Sequence, residues 1–600
     1  MTVDVKSLVT DNLDLWSSTI KKKNATGRGS SKKTELYGIK KLRELILELA
    51  VRGLLVPQDP SDEPASVLLK KISVEKERLV KEKRMKKEKP LPEIGGNELP
   101  FALPEKWVWS RMGYLAQYQK GYAFKSKDYL DSGLMITKIQ NLSDNNIKKS
   151  VFIPQEMGLE FAQYLLNEGD IVMTTVGSWF SAPASAVGRS FLVSKLFDNS
   201  LLNQNAVRIR SLKGLESAYL FLCISSPIFK NYLALEAQGT ANQASITQTS
   251  IKNFLIGVPP KNEQHRIVTK VSELMTLCDQ LEQQQENSIS THQILVETLL
   301  NTLTQVDNGQ DANAETINPA NTKQNRFQQA WALIADNFDH LFTTEHSIQQ
   351  LKQTILQLAV MGKLVPQDPN DEPASVLLEK IAAEKSQLIK DKKIKKQKPL
   401  PPIGEEEKPF ALPVGWEFCR FFDVNTVKSE LVPALDFPNE WQVAPDSIEK
   451  NTGRLLENRT VAEVGAKGPN NRFYSGQILY SKIRPSLNKV VIAPYDGLCS
   501  ADMYPINCAT NSDYVLRYML SENFLCQVRR AENRVKMPKL NLESLGMFIV
   551  ALPPINEQKL IVTKVNELMT LCDNMLEHIN AAQTTQLNLT DAIAEQALTK

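Results

Sequence analysis

LRELILELAVRGLLVPQDPSDEPASVLLKKI at residues 42–72 returns as LKQTILQLAVMGKLVPQDPNDEPASVLLEKI at residues 351–381. A second pair follows in the same order: PPKNEQHRIVTKVSELMTLCD at 259–279 and PPINEQKLIVTKVNELMTLCD at 553–573. Between these flanks, residues 107–258 and 416–552 share little direct identity. The chain therefore reads as an internal duplication with a pseudo-two-fold frame, in which one scaffold presents two different inserts.

The later flanks carry a helical stripe. Ile267, Val271, Leu274, Cys278 and Leu281 alternate steps of four and three, and the heptad register continues through Gln285, Ser288 and His292 to Leu295 and Leu299. The second copy reads Ile561, Val565, Leu568, Cys572 and Met575, then Ile579, Ala582, Gln586, Leu589 and Ile593. Such spacing predicts coiled-coil seams with polar layers on two long helices, entered through Pro259-Pro260 and Pro553-Pro554. The helices are expected to pair antiparallel with one another; packing of each on its own domain is the alternative.

The inserts differ in letters and rhyme in pattern. GDIVMTT at 169–175 parallels GQILYSK at 476–482, a turn and an apolar strand ending in small polar or basic residues. Residues 246–258 align without gaps on 540–552, and the loops GTANQAS and NRVKMPK precede them. One mixed α/β fold used twice is expected. The segments are an N-terminal helical arm (1–41), a helical and basic repeat segment (42–104), a first insert domain (105–258) and a long helix (259–307). A polar linker (308–325) and a helical segment (326–350) lead into the second repeat segment (351–413), second insert domain (414–552) and second long helix (553–600). In the repeat segment, Pro57, Pro60 and Pro64 close one helix, and Asp62 or Ser66 is available to cap the next.

Composition narrows the class. With 600 residues, 42% hydrophobic and a net charge of +3, the chain suits several compact units and is too weakly charged for its sum to name a partner. No apolar run approaches the roughly 20 residues that span a bilayer, and MTVDVKSLVTDNLDLW lacks a leader pattern, so a cytoplasmic location is expected. Seven cysteines without a C-x-x-C pair, and five histidines without ligand spacing, predict no disulfide framework and no metal. Basic stretches at 70–89 and 380–398 occupy matching places in the two repeats; they suit solvated helix faces, phosphate contact or a partner subunit.

Signatures of catalysis are missing. The chain has no G-x-x-x-x-G-K-[ST] loop and no G-x-G-x-x-G after a strand, and each Pro-Pro pair lacks the preceding Asn or Asp of an adenine methyltransferase. Asp446 with Glu449 and Lys450 is only a faint nuclease-like cluster. The inserts are rich instead in groups that bond to bases and phosphates. In the first these are Lys120, Tyr122, Lys125, Lys138, Gln140, Asn141, Thr174, Thr175, Ser178, Arg189, Asn205, Asn242 and Gln243. In the second they are Arg472, Ser481, Lys482, Arg484, Asn488, Lys489, Arg534, Lys536 and Lys539.

Taken together, the chain resembles the specificity subunit of type I restriction–modification enzymes. The resemblance rests on KKLRELILELAVRGLLVPQDPSDEPASVLLKKI (40–72), KPLPEIGGNELPFALPEKW (89–107), its echo KPLPPIGEEEKPFALPVGW (398–416), and the NEQ-x-x-IV-x-KV helix starts at Asn262 and Asn556. The inserts match only in outline, through GDIVMTTVGS and GQILYSKIRPSLNKV. The resemblance implies two target-recognition domains separated by two long antiparallel helices, each domain reading half of a split site on double-stranded DNA while the helices set the gap. It also implies a non-catalytic chain that binds no cofactor. Two modification subunits would use S-adenosylmethionine to methylate adenine, and restriction subunits would use ATP and Mg²⁺ to cleave. Two other classes stay open on the residues alone: a self-contained enzyme with an unrecognised site, and a scaffold whose inserts bind two polypeptides.

Overall fold

The computed structural model describes residues 5–22, 34–180, 186–304, 319–391, 399–532 and 538–599. The chain divides into two compact units. One comprises residues Met1–Asn287 with Ala582–Lys600, and the other comprises Ser288–Ala581. Each unit therefore contains the first part of one long helix and the last part of the other. The helices span Lys261–Thr304 and Ile555–Thr599, 44 and 45 residues.

After the short helices Val5–Thr10 and Leu13–Ser18, the first unit continues with helices Tyr37–Arg52 and Ala65–Lys81. Gly53 ends helix Tyr37–Arg52 in a left-handed conformation at φ 73°, and Gly362 takes φ 69° at the matching place in the other unit. Glycine suits both sites because a Cβ would strain there. Helix Ala65–Lys81 has no side-chain cap. Asp62, expected as a cap, is buried and instead accepts bonds from Arg266 at 2.7 Å and Asn262 at 3.2 Å. A buried carboxylate gains more from a guanidinium than from a backbone amide.

Strand Val108–Arg111 pairs antiparallel with Leu255–Val258 and so ties the start of the insert domain to its end. Between them lies a four-stranded antiparallel sheet, ordered Ala116–Lys120, Ala206–Ser211, Ile171–Thr174, Ser190–Leu192. In the second unit Glu417–Arg420 pairs with Ile549–Leu552, and the sheet order is Asn425–Val427, Met503–Cys508, Ile478–Ser481, Val490–Ile492. The central sheets thus share order and direction. Their companions differ in size: among the described residues the first unit adds two three-stranded sheets, whereas the second adds one four-stranded sheet, and each unit has one parallel strand pair, Leu134–Thr137 with Leu201–Leu202 and Trp441–Val443 with Gly497–Ser500.

Buried polar groups repeat with the frame. Glu263 and Gln264, and likewise Glu557 and Gln558, are at most 1% exposed. Gln58 donates to Glu263 at 2.7 Å; Gln367 and Trp416 donate to Glu557 at 3.0 and 2.9 Å. Gln264 accepts from the Glu216 amide and donates to the Pro259 carbonyl, as Gln558 does with Asn511 and Pro553. The NEQ motif is thus a polar bolt that joins each long helix to its repeat segment and insert domain. Arg111 and Arg420 play a similar part for the proline-rich arms, each bonding to an arm carboxylate, Glu98 or Glu407, and to backbone carbonyls.

On the first long helix the buried apolar positions are Ile267, Val271, Leu274, Cys278, Val296, Leu300 and Leu303, with Leu281 half-buried. Leu295, placed on the seam by the heptad register, is 48% exposed. The step from Cys278 to Val296 is 18 residues, five turns at 3.6 per turn, so the stripe follows a straight α-helix and has slipped one residue from the 3.5 repeat. The second helix repeats the slip. Ile561, Val565 and Cys572 are buried, Leu568 and Met575 half-buried, and then Thr590, Ala594 and Ala597 are buried while Leu589 is exposed.

Each stripe joins a unit's core. Ile267, Val271, Leu274 and Cys278 belong to the same cluster as Ala594 and Ala597, and Ile561, Val565 and Cys572 to the same cluster as Val296, Leu300 and Leu303. Helix Pro319–Asp336 begins inside the stretch read as linker, because proline is tolerated in a helix's first turn; residues 305–318 lie outside the described residues. No single helix among the described residues is long and apolar enough to cross a membrane. The bent pair Ser217–Ser225 and Pro227–Glu236 has such a composition, but its Tyr219, Leu220, Cys223, Phe229 and Leu233 are core residues.

Candidate nucleic-acid interface

Strand direction gathers the first unit's candidates. Lys120 lies opposite Val207, and Thr174 opposite Ala206, so the ends of two strands and the start of a third meet at one edge. Backbone bonds bring in the neighbouring loops: Thr175 N–H to the Asn205 carbonyl at 2.9 Å, Ile246 N–H to the Thr175 carbonyl at 3.0 Å, and Asn203 N–H to the Thr137 carbonyl at 3.2 Å. Hairpin Gln238–Thr240 and Gln243–Ser245 pairs with Val176–Gly177, which carries Asn242 and Gln243 to the same edge.

Exposed here are Lys120, Tyr122, Lys125, Gln140, Asn205, Asn242 and Gln243, with Asn205 left-handed at φ 66°. Gln140 donates to Asp144 at 2.8 Å. Other candidates turn inward. Asn141 is 5% exposed and staples its loop, accepting from the Lys138 amide and donating to the Asn146 carbonyl. Thr174 donates to the Ala186 carbonyl. Thr175 is also buried, and Ser178 is half-buried. The exposed Tyr122 packs with Phe124, Phe161 and Tyr164 at 5.0 to 5.2 Å between ring centres. Lys138 lies over Tyr129, and Arg189 lies over Phe191 while bonding to Ser143.

The second unit builds its edge the same way. Leu540 N–H bonds to the Lys482 carbonyl at 2.9 Å, the counterpart of Ile246 on Thr175, and Arg484 N–H bonds to the Pro538 carbonyl at 2.9 Å. Here the side chains are basic, and most are engaged. Lys482 donates to the Ala501 carbonyl at 2.7 Å and lies 5.5 Å from the Tyr504 ring centre. Lys539 is 3.4 Å from Asp502, and Lys489 donates to the Pro445 carbonyl. Arg472 stacks on Phe437 at 4.6 Å beside Glu430. Ser481 and Asn488 are at most 1% exposed, and they hold the Ile483 and Met519 carbonyls. Asn141, Thr174, Ser481 and Asn488 therefore shape the edge from beneath instead of facing outward, since buried polar groups must find internal partners. Arg534 and Lys536 lie outside the described residues.

Sequence inspection missed Asp502, the acid that gathers Lys482 and Lys539, because no motif marks it. It also missed the anchoring of the basic stretches. Lys76 and Lys385 leave their helices to bond to the Gly113 carbonyl at 2.8 Å and the Asp423 carbonyl at 2.7 Å, and burial lowers the pKa of both. Their identical repeat position was the available signal. No group of three His, Cys, Asp or Glu that could hold a metal occurs among the described residues.

A family model described as the type I restriction modification DNA specificity domain matches residues 104–291. Over 624 aligned residues the chain is 37% identical to the type I restriction enzyme EcoEI specificity subunit of Escherichia coli, covering 99% of this chain and all of the relative. The EcoAI specificity subunit of the same organism gives the same identity and coverage. A solved structure described as "Structural basis underlying complex assembly and conformational transition of the type I R-M system" aligns at 15% identity and TM-score 0.46, over 83% of this chain and 99% of that one.

Proposed function

We infer, for a chain that belongs to the family of type I restriction enzyme specificity subunits, that each insert domain reads one half of an asymmetric, bipartite site on double-stranded DNA. One observation carries this reading. The same backbone clamp, residue 246 on 175 and residue 540 on 482, presents amide-rich side chains in one unit and basic ones in the other. A single frame with two unlike edges is what recognition of two unlike sequences requires.

The long helices set the gap between half-sites; each would extend about 66 Å at 1.5 Å per residue. The basic side chains supply salt-sensitive affinity, and the outward polar groups select bases. Two modification subunits dock on the repeated frame, and restriction subunits join them, all in the cytoplasm. S-adenosylmethionine, ATP and Mg²⁺ belong to those partners, and this chain only addresses them.

The test is to map methylated adenines in cells that express the complete system, with and without this chain. A split motif with a modified adenine in each half, lost when the chain is deleted, is expected. A continuous motif, or methylation unchanged by the deletion, would refute the reading.

A further inference from the structure

Among the described candidates of the second unit's edge, Lys482, Lys489, Lys539 and Arg472 each spend their charge on a carbonyl, a carboxylate or an aromatic face. Arg484 does not. It is exposed, and among the described residues its guanidinium makes no hydrogen bond or ion pair. Its backbone is held at φ 45°, immediately before Pro485. An L-residue rarely adopts that conformation, and a residue ahead of proline prefers extended backbone.

The conformation persists because the surroundings fix it on both sides. Arg484 N–H bonds to the Pro538 carbonyl, its own carbonyl accepts from Leu487 N–H at 2.9 Å, and Ile483 bridges to Lys539. Asn488, four residues on, is anchored to the Met519 carbonyl at 2.9 Å. Glycine would sit there with less strain. A tightly held backbone carrying an unspent planar cation is the arrangement that two-point hydrogen bonding needs.

We propose that Arg484 is the base-reading residue of the second unit, and that the base is guanine, held by the guanidinium fork on O6 and N7 in the major groove. The proposal rests on the reading of this domain as a DNA reader and adds the residue, the groove and the base. It also sets the units apart chemically. The first unit's outward Asn205, Asn242 and Gln243 match the donor and acceptor pair of adenine, while the second unit's free group matches the two acceptors of guanine.

The test uses the full-length chain assembled with its modification subunits, on a duplex carrying the split motif found by methylation mapping. In the wild type, one guanine in one half-site is protected at N7 from dimethyl sulfate, and replacing that G·C pair with A·T weakens binding about 5- to 150-fold. Arg484→Gly should lose the protection and bind both duplexes equally, with the other half-site's footprint intact. Its thermal midpoint should be no lower than the wild type's, because glycine relieves the strained backbone; this separates lost reading from lost folding. Retained discrimination in Arg484→Gly would overturn the proposal. So would a uniform loss across sequences with a shallower salt dependence, which marks a phosphate contact. Failure of the wild type to prefer the mapped duplex at all would instead bring down the underlying reading of the domain.

Discussion

Leu295 and Leu300 test the slip of the buried stripe with a single kind of substitution. The heptad register seats Leu295 on the seam and leaves Leu300 off it. In the structure the order is reversed: Leu295 is 48% exposed and Leu300 is 3% exposed, within the cluster that includes Val296, Leu303, Ala330 and Ile334. Leu300→Ala removes a packed side chain and leaves a cavity, a loss of about 2–5 kcal/mol. Leu295→Ala gives up only the half of its side chain that is covered, about 1 kcal/mol, and opens no cavity. Both changes are leucine to alanine on one helix, so helix propensity cancels in the comparison. Urea unfolding of the isolated chain, followed by circular dichroism, should rank Leu300→Ala as the more damaging by roughly 1–4 kcal/mol. If Leu295→Ala costs as much or more, the stripe follows the heptad and the reasoning from 3.6 residues per turn is wrong.

Burial holds the Glu263 and Glu557 carboxyls above the usual carboxylate range, and bonds from Gln58, and from Gln367 and Trp416, draw them partly back. The folded state therefore keeps protons that the unfolded chain releases, so their contribution to stability falls as pH rises from about 4.5 through the raised folded value. In unfolding experiments between pH 4 and 7, Glu557→Gln should flatten this loss relative to the wild type, and a steeper loss would contradict it. Arg420→Met removes the bonds to the exposed Glu407 and to the Pro401 and Met547 carbonyls, and should cost about 1–2 kcal/mol in urea unfolding. A change below about 0.5 kcal/mol would mean the proline-rich arm does not depend on this residue. DNA affinity measured by fluorescence anisotropy should fall linearly on a logarithmic salt scale between 50 and 200 mM, with a slope near −0.9 for each phosphate neutralised. A flat response would favour a polypeptide partner for the inserts.

Much of the frame could be read from letters alone because it occurs twice. Repetition marked residues 42–72 and 259–279, with their copies at 351–381 and 553–573, as shared scaffold, and those segments hold the Glu263 and Glu557 bolts and the proline-closed helices. The seam was legible as far as Cys278 and Cys572. Beyond them a 3.5 and a 3.6 repeat diverge by about 20° per heptad, and polar residues such as Gln285 and Ser288 carry no signal to choose between them. The edge was legible only as a list of residue types. Whether Lys482 faces solvent depends on Ala501 and Asp502, and whether Asn488 is buried depends on Met519. Those neighbours are 19 to 31 residues away along the chain, brought in by strand pairing and helix packing that local spacing does not encode.

Strand pairing also explains how one fold supports edges so different. The bonds that close each edge, Ile246 to Thr175 and Leu540 to Lys482, run between backbone amides and carbonyls. Such bonds are indifferent to side-chain identity, so threonine at 175 and lysine at 482 occupy one geometric role with opposite chemistry. The core beneath constrains size and polarity closely: Tyr219 and Tyr514 are both fully buried and donate to the equivalent carbonyls of Gly257 and Ala551 at 2.7 and 2.6 Å. Change is therefore costly one layer down and nearly free at the edge. A new DNA specificity on this frame requires only new outward side chains, provided that inward anchors such as Asn141 and Asn488 keep the loops in place.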